Sequence, residues 1–160
     1  MNRIYNLVTM LVVLSVLLSC TKQREESQKI IEIKNYLTND LDVNDIESRK
    51  LYLFIPDDTC SSCRMGLINF YNDLTVKAKN HIAYVFVSYS TKKTEFLMEN
   101  IYDKNSIIVD VKGMAYKKHL ISPSMPTLLI TNKESSKTIT FQSGEYIEIV
   151  EEMKHFLNEN

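Results

Sequence analysis

Leu51-Tyr52-Leu53-Phe54-Ile55-Pro56-Asp57-Asp58-Thr59-Cys60-Ser61-Ser62-Cys63-Arg64 is the stretch around which the chain is organised. Lys50 to Pro56 has an unbroken apolar middle, the pattern of a central strand covered on both faces. Pro56 ends it, because proline cannot donate to a strand ladder. Asp58 or Thr59 can cap a following helix. From Cys63 the residues Leu67, Phe70, Leu74 and Ala78 fall on one helical face, which predicts a buried stripe running from Cys63 into the core. Cys60 then stands at the helix start, with Cys63 one turn further in.

Two cysteines at this junction point to thiol chemistry. The attacking species is the thiolate, and the unpaired N–H groups at a helix start stabilise it. Cys60 has that position and is the candidate nucleophile, and Cys63 is the candidate resolving cysteine. Asp57 and Asp58 oppose a thiolate there, whereas Arg64 favours one. A purely structural disulfide is the plainer alternative, but a CxxC closes a very short loop and constrains the unfolded chain little. A zinc site needs two further ligands. His81 opens a strand, His119 follows a short helix and His155 lies on the last helix. His119, six residues before Met125, keeps open a copper-handling reading that uses Cys60, Cys63 and a nearby His or Met. No metal is assigned among the site residues, and no cofactor beyond the cysteine pair.

The 160 residues suffice for one domain with a real core. A formal net charge of −1 gives no footprint for nucleic acid. Three Gly and three Pro argue against long disordered linkers. Of the three cysteines, Cys20 stands alone near the N-terminus. Arg3 and the apolar run Leu7 to Leu18 form the two parts of a secretory signal, and the run is short of the ~20 residues of a spanning helix. Leu17-Leu18-Ser19-Cys20 resembles a bacterial lipobox, which implies lipidation of Cys20 as the first mature residue. The expectation is a signal peptide over 1–19, an anchor, tether and N-terminal extension over 20–49, and a folded domain over 50–160. The implied location is the cell envelope, on a bacterial membrane and facing the periplasm or exterior, where disulfides persist.

Periodicity predicts a helix over 27–38, with a strand at Ile30 to Ile33 as the competing reading, and a polar loop over 39–48. Downstream it predicts strands at Ile82 to Tyr89, Ser106 to Val111, Thr127 to Thr131 and Lys137 to Phe141. Helices are expected at Lys92 to Asn100, Met114 to His119 and Tyr146 to Leu157. Asn132 to Ser136 reads as a hairpin turn. The alternation followed by a hairpin and a last helix indicates an α/β fold with a mixed central sheet and helices on both faces.

A CxxC in this setting resembles the thioredoxin-like superfamily. Ile121-Ser122-Pro123-Ser124-Met125-Pro126-Thr127-Leu128-Leu129-Ile130 is similar to that family's segment ending in a cis-proline, a threonine and an apolar strand. Pro126 lies 66 residues after Cys60. That interval, and the run Val109-Asp110-Val111-Lys112-Gly113-Met114-Ala115-Tyr116, are similar to membrane-tethered TlpA/ResA-like thiol-disulfide oxidoreductases. The resemblance implies disulfide exchange with protein thiols, a membrane redox partner, a cis Met125–Pro126 bond, and Met125, Pro126 and Thr127 as the substrate-facing wall. The chain departs from the pattern at Thr59, where the family usually has Trp, and at the Ser61-Ser62 dipeptide. It also lacks an acidic residue within Leu51 to Ile55.

Overall fold

A computed structural model describes residues 10, 24–44, 46, 49–132, 135–142 and 144–158. Apart from Met10, the proposed signal lies outside the described residues, as does the lipidation site Cys20. Among the described residues no helix is long and apolar enough to cross a membrane.

Five strands form one sheet: β1 (Lys50–Pro56), β2 (Ile82–Val87), β3 (Ile107–Asp110), β4 (Thr127–Thr131) and β5 (Ser136–Thr140). Their order in space is β3-β2-β1-β4-β5. β1 runs parallel to β2, and β2 parallel to β3. β4 is antiparallel to β1, and β5 to β4. β1 is therefore the middle strand, as its uninterrupted apolar sequence requires. The fold is α/β, a mixed central sheet with helices on both faces, as expected.

Successive side chains of a strand point to opposite faces, and the sheet sorts its residues accordingly. Leu51, Leu53 and Ile55 join Ile82, Tyr84 and Phe86 in one buried cluster; Tyr52 and Phe54 join Ala83, Val85 and Val87 in the other. The first face is covered by α2 (Ser61–Asp73) through Leu67, Ile68 and Tyr71, and by α6 (Tyr146–Asn158) through Ile149, Met153 and Phe156. The second is covered by α1 (residues 24–41) through Ile33, Tyr36 and Leu37, and by α5 (Met114–Lys117) through Ala115 and Tyr116. The remaining helices are α3 (Val76–Lys79) and α4 (Thr91–Met98).

α1 runs to residue 41, so the polar segment 39–41, expected as loop, is helical. An ion pair between Asp40 and Lys118 holds that end against the turn after α5. The helix packs into the same unit as the sheet. Tyr36 is its anchor: the phenol donates to the buried carboxylate of Asp110 at 2.8 Å.

The stripe expected from Cys63 to Ala78 is interrupted. α2 ends at Asp73, and Leu74 takes an extended conformation. Thr75 then caps α3, its hydroxyl accepting the Ala78 N–H. A threonine two residues beyond a helix end offers the chain an N-cap, and a new short helix starts there. The buried face of α2 is Cys63, Leu67, Ile68 and Tyr71, with Phe70 only partly buried.

The peptide bonds of the described residues are all trans, including Met125–Pro126, which the resemblance implied to be cis. The trans isomer of an X–Pro bond is the lower by roughly 0.5–1 kcal/mol. The chain bends before this bond, over residues 123–125, and the Pro126 carbonyl accepts the N–H of Phe141, the residue after β5, at 2.9 Å.

Candidate active site

The site begins where β1 runs out. Its cap is neither Asp58 nor Thr59, as expected, but Cys60 itself: the Cys60 Sγ accepts the backbone N–H of Cys63 at 3.1 Å. Asp58 is engaged elsewhere, its N–H donating to the Pro123 carbonyl at 3.2 Å. Thr59 is buried with a hydroxyl that has no partner. Cys60 and Cys63 are joined as a disulfide, with Cα atoms 5.3 Å apart. Cys60 is half-buried, whereas Cys63 is buried, 6% exposed. The two sulfurs thus differ in access, and the one nearer solvent receives a helix N–H.

The second wall comes from the start of β4. Thr127 pairs with Phe54 across the antiparallel ladder, which sets the 123–127 segment beside the end of β1. The Asp58–Pro123 hydrogen bond closes the contact between the two loops. Pro126 and Thr127 are buried and Met125 is exposed, so of the three proposed substrate-facing residues only Met125 presents its side chain to solvent.

A third group under the loop had no role assigned from sequence. Tyr116 is buried, its hydroxyl accepting the Asp57 N–H at 2.9 Å and donating to the Val87 carbonyl at 2.8 Å. It clamps the last turn before the cysteines to the end of β2. Burial pushes its phenol pKa well above the ordinary tyrosine value. Arg64 grips the same loop, donating to the Asp57 carbonyl at 3.0 Å. The Asp57 carboxylate in turn accepts the Tyr89 N–H at 3.3 Å.

Asp110 organises the segment that delivers Tyr116. Its carboxylate accepts from the Tyr36 hydroxyl, the Ala115 N–H at 2.9 Å and the Lys112 N–H at 3.2 Å. Gly113 sits between them at φ +59°, with the Tyr89 ring against its Cα. The signal in the sequence was the spacing Asp110, Gly113, Tyr116: a turn-forming carboxylate, a left-handed position and a helix start.

The histidines do not join the cysteines. His119 is exposed at φ +55°, just past the end of α5. Among the described residues no group of three or more His, Cys, Asp or Glu is placed to hold a metal ion.

No family model matches the chain, and no curated protein matches it. Among solved structures, the chain is similar to a candidate thiol:disulfide interchange protein DsbE from Chlorobium tepidum, at 15% identity and a TM-score of 0.47, over 70% of this chain and 82% of that one. It is similar to a thioredoxin-like protein from Porphyromonas gingivalis at 12% identity and a TM-score of 0.48, over 74% and 81%. A third is BsSco, of the Sco family of cytochrome c oxidase assembly proteins, at 11% identity and a TM-score of 0.42, over 72% and 84%.

Proposed function

We propose that this thioredoxin-like chain is a thiol-disulfide oxidoreductase of the bacterial cell envelope, held to a membrane through a lipid on Cys20 and exchanging disulfides with protein substrates. The carrying observation is the asymmetric pair: a half-buried Cys60 whose Sγ accepts the Cys63 N–H, and a buried Cys63 one turn behind it.

In the oxidising direction a substrate thiolate attacks the Cys60 Sγ. The Cys60–Cys63 bond breaks, a substrate–Cys60 disulfide forms, and Cys63 leaves with the electron pair. A second substrate thiolate then attacks the substrate sulfur of the mixed disulfide and releases Cys60 as a thiolate. Two electrons and two protons pass in sum from the substrate dithiol to the Cys60/Cys63 dithiol. In the reducing direction the Cys60 thiolate attacks a substrate disulfide and Cys63 resolves the adduct. The Cys63 N–H stabilises the Cys60 thiolate at both stages, as attacking and as leaving group. The pair itself carries the electrons, and a membrane redox protein of opposite poise would regenerate it. Met125 and the 123–127 backbone form the face against which a substrate strand would lie.

Substitution Cys63→Ser tests the assignment. This variant should accumulate mixed disulfides with protein substrates through Cys60, released by dithiothreitol and visible by mass spectrometry. Cys60→Ser should accumulate none. Equal trapping by both variants would remove the assignment of Cys60 as nucleophile.

A further inference from the structure

Beside the cysteine pair lies a cleft of 360 Å3 lined by Asp57, Arg64, Ser90, Lys92, Lys93 and Phe96. Neither cysteine lines it, but two of its residues, Asp57 and Arg64, flank the pair in the chain. Arg64 belongs to the first turn of α2 and its N–H donates to the Cys60 carbonyl at 2.9 Å, while Asp57 closes the loop before the cysteines. The other four residues come from the loop after β2 and the first turns of α4.

Three of the lining residues are cations and one is an acid, in a chain whose net charge is −1. The acid offsets one of the cations, and one of its carboxylate oxygens accepts the Tyr89 N–H. The cations are not neutralised: among the described residues Arg64, Lys92 and Lys93 form no ion pair with a carboxylate. Arg64 donates through Nη1 to the Asp57 carbonyl, and its buried Nε has no partner. A guanidinium carries five N–H donors in a planar fork suited to a carboxylate. Glu95, the acid nearest in sequence on α4, lines a different depression on the other side of that helix. Asp58 is exposed on the loop beside Asp57 and is the remaining negative charge near the cleft.

The cleft also has one apolar side chain, Phe96, which is 65% exposed; Tyr89, just before Ser90 in the chain, is 60% exposed, and exposed aromatic side chains of this kind are typical of protein interfaces. A small inorganic anion would use the cations and leave the aromatics wet. A peptide with both a carboxylate and an apolar side chain would use both.

We propose that this cleft docks an acidic segment of the partner protein, with a carboxylate against Arg64, Lys92 and Lys93 and an apolar side chain on Phe96, delivering the partner's disulfide to Cys60. The proposal rests on the oxidoreductase reading and assigns its substrate class. Attraction between unlike charges raises the encounter rate and is screened by salt.

The test uses the full chain, reduced, with two short disulfide-bearing peptides that differ only in flanking Glu-Leu or Lys-Leu residues. The expected result is that the acidic peptide is reduced about tenfold faster at low salt, with the ratio falling toward one at about 0.5 M salt. The ratio should also fall to one or below in the double variant K92E/K93E. It is internal to each protein sample, so a loss of active molecules does not move it. A ratio at or below one in the unaltered chain, or a preference that survives K92E/K93E, overturns the docking proposal. Hydroxyethyl disulfide, small and neutral, separates the two readings: reduction of it without peptide preference leaves the oxidoreductase reading and removes the docking one. If no disulfide reacts, fluorescence anisotropy with the acidic peptide carrying serines for cysteines decides the docking. Binding lost in K92E/K93E then supports it, and no binding, or binding only to vesicles of phosphatidylglycerol, overturns it.

Discussion

Tyr116 shows what a single side chain contributes at this site. Its hydroxyl joins two backbone groups from different elements, Asp57 N–H and Val87 C=O. Tyr116→Phe leaves both backbone groups without that partner, and the expected loss is about 1–3 kcal/mol in urea unfolding. Because Asp57 opens the loop that carries Cys60, the reduction potential of the pair should shift in this variant as well. An unchanged potential would make Tyr116 purely structural. Gly113 is the second residue with a sharp expectation. At φ +59° an alanine meets the left-handed penalty of roughly 1–2 kcal/mol and places its Cβ 2.4 Å from the Tyr89 ring. Gly113→Ala should destabilise by at least that penalty and displace Tyr89, which tyrosine fluorescence would follow. At this scale the sequence was readable where chemistry is local: Cys60 and Cys63 declared themselves by spacing. Tyr116 could be quoted as part of a motif but not given a role, since its partners lie 59 and 29 residues away. The cap was misread because Asp and Thr are the usual capping residues, whereas here a sulfur takes the N–H.

Among the elements, β1 was the most legible. A strand apolar on both faces has one place to go, the middle of a covered sheet, and its alternate residues divide cleanly between the two buried clusters. α1 was less so, because its polar end, where Asp40 pairs with Lys118, is helical despite a loop-like sequence. The helix is fastened from within by Tyr36. Tyr36→Phe keeps the ring but removes the donor to Asp110, whose carboxylate also accepts the Ala115 N–H at the start of α5. The expected cost is about 1–3 kcal/mol. Leu37→Ala, which empties a fully buried position on the same helix, should cost about 2–5 kcal/mol. Both are measured by chemical unfolding, and values near zero would mean that α1 is not packed on the sheet. The break between α2 and α3 was hidden from periodicity because Leu74 and Ala78 continue the apolar spacing across it.

The molecule as a whole has two buried layers rich in tyrosine. Tyr36, Tyr84 and Tyr116 all have phenol pKa values raised above the usual ~10, with burial as the leading cause in each. In the unfolded chain these phenols ionise near pH 10; in the folded protein they stay protonated to higher pH. The folded state therefore binds more protons above pH 10, and stability falls as pH rises from there. The slope approaches about 1.4 kcal/mol per pH unit for each such tyrosine, and urea midpoints between pH 8 and 11, taken within about a unit of the usual phenol value, should show it. Stability that is flat to pH 11 would contradict the buried, protonated state of these rings. The α/β architecture around a mixed sheet was legible from element order, because one apolar strand, its crossover and a hairpin followed by a last helix leave few arrangements open. The isomer of Met125–Pro126 was not, since a motif states which residues meet and local packing decides the bond between them.

On the proposed function, Cys60 and Cys63 form a reversible two-electron couple rather than a fixed staple. Equilibration of the full chain in graded dithiothreitol or glutathione redox buffers, followed by thiol alkylation and mass spectrometry, measures it directly. A single reversible transition between the disulfide and the dithiol is expected, the same from either starting state, with Cys60 alkylating faster than Cys63 once reduced. A pair that stays oxidised throughout the range, or that unfolds the protein when reduced, would contradict it.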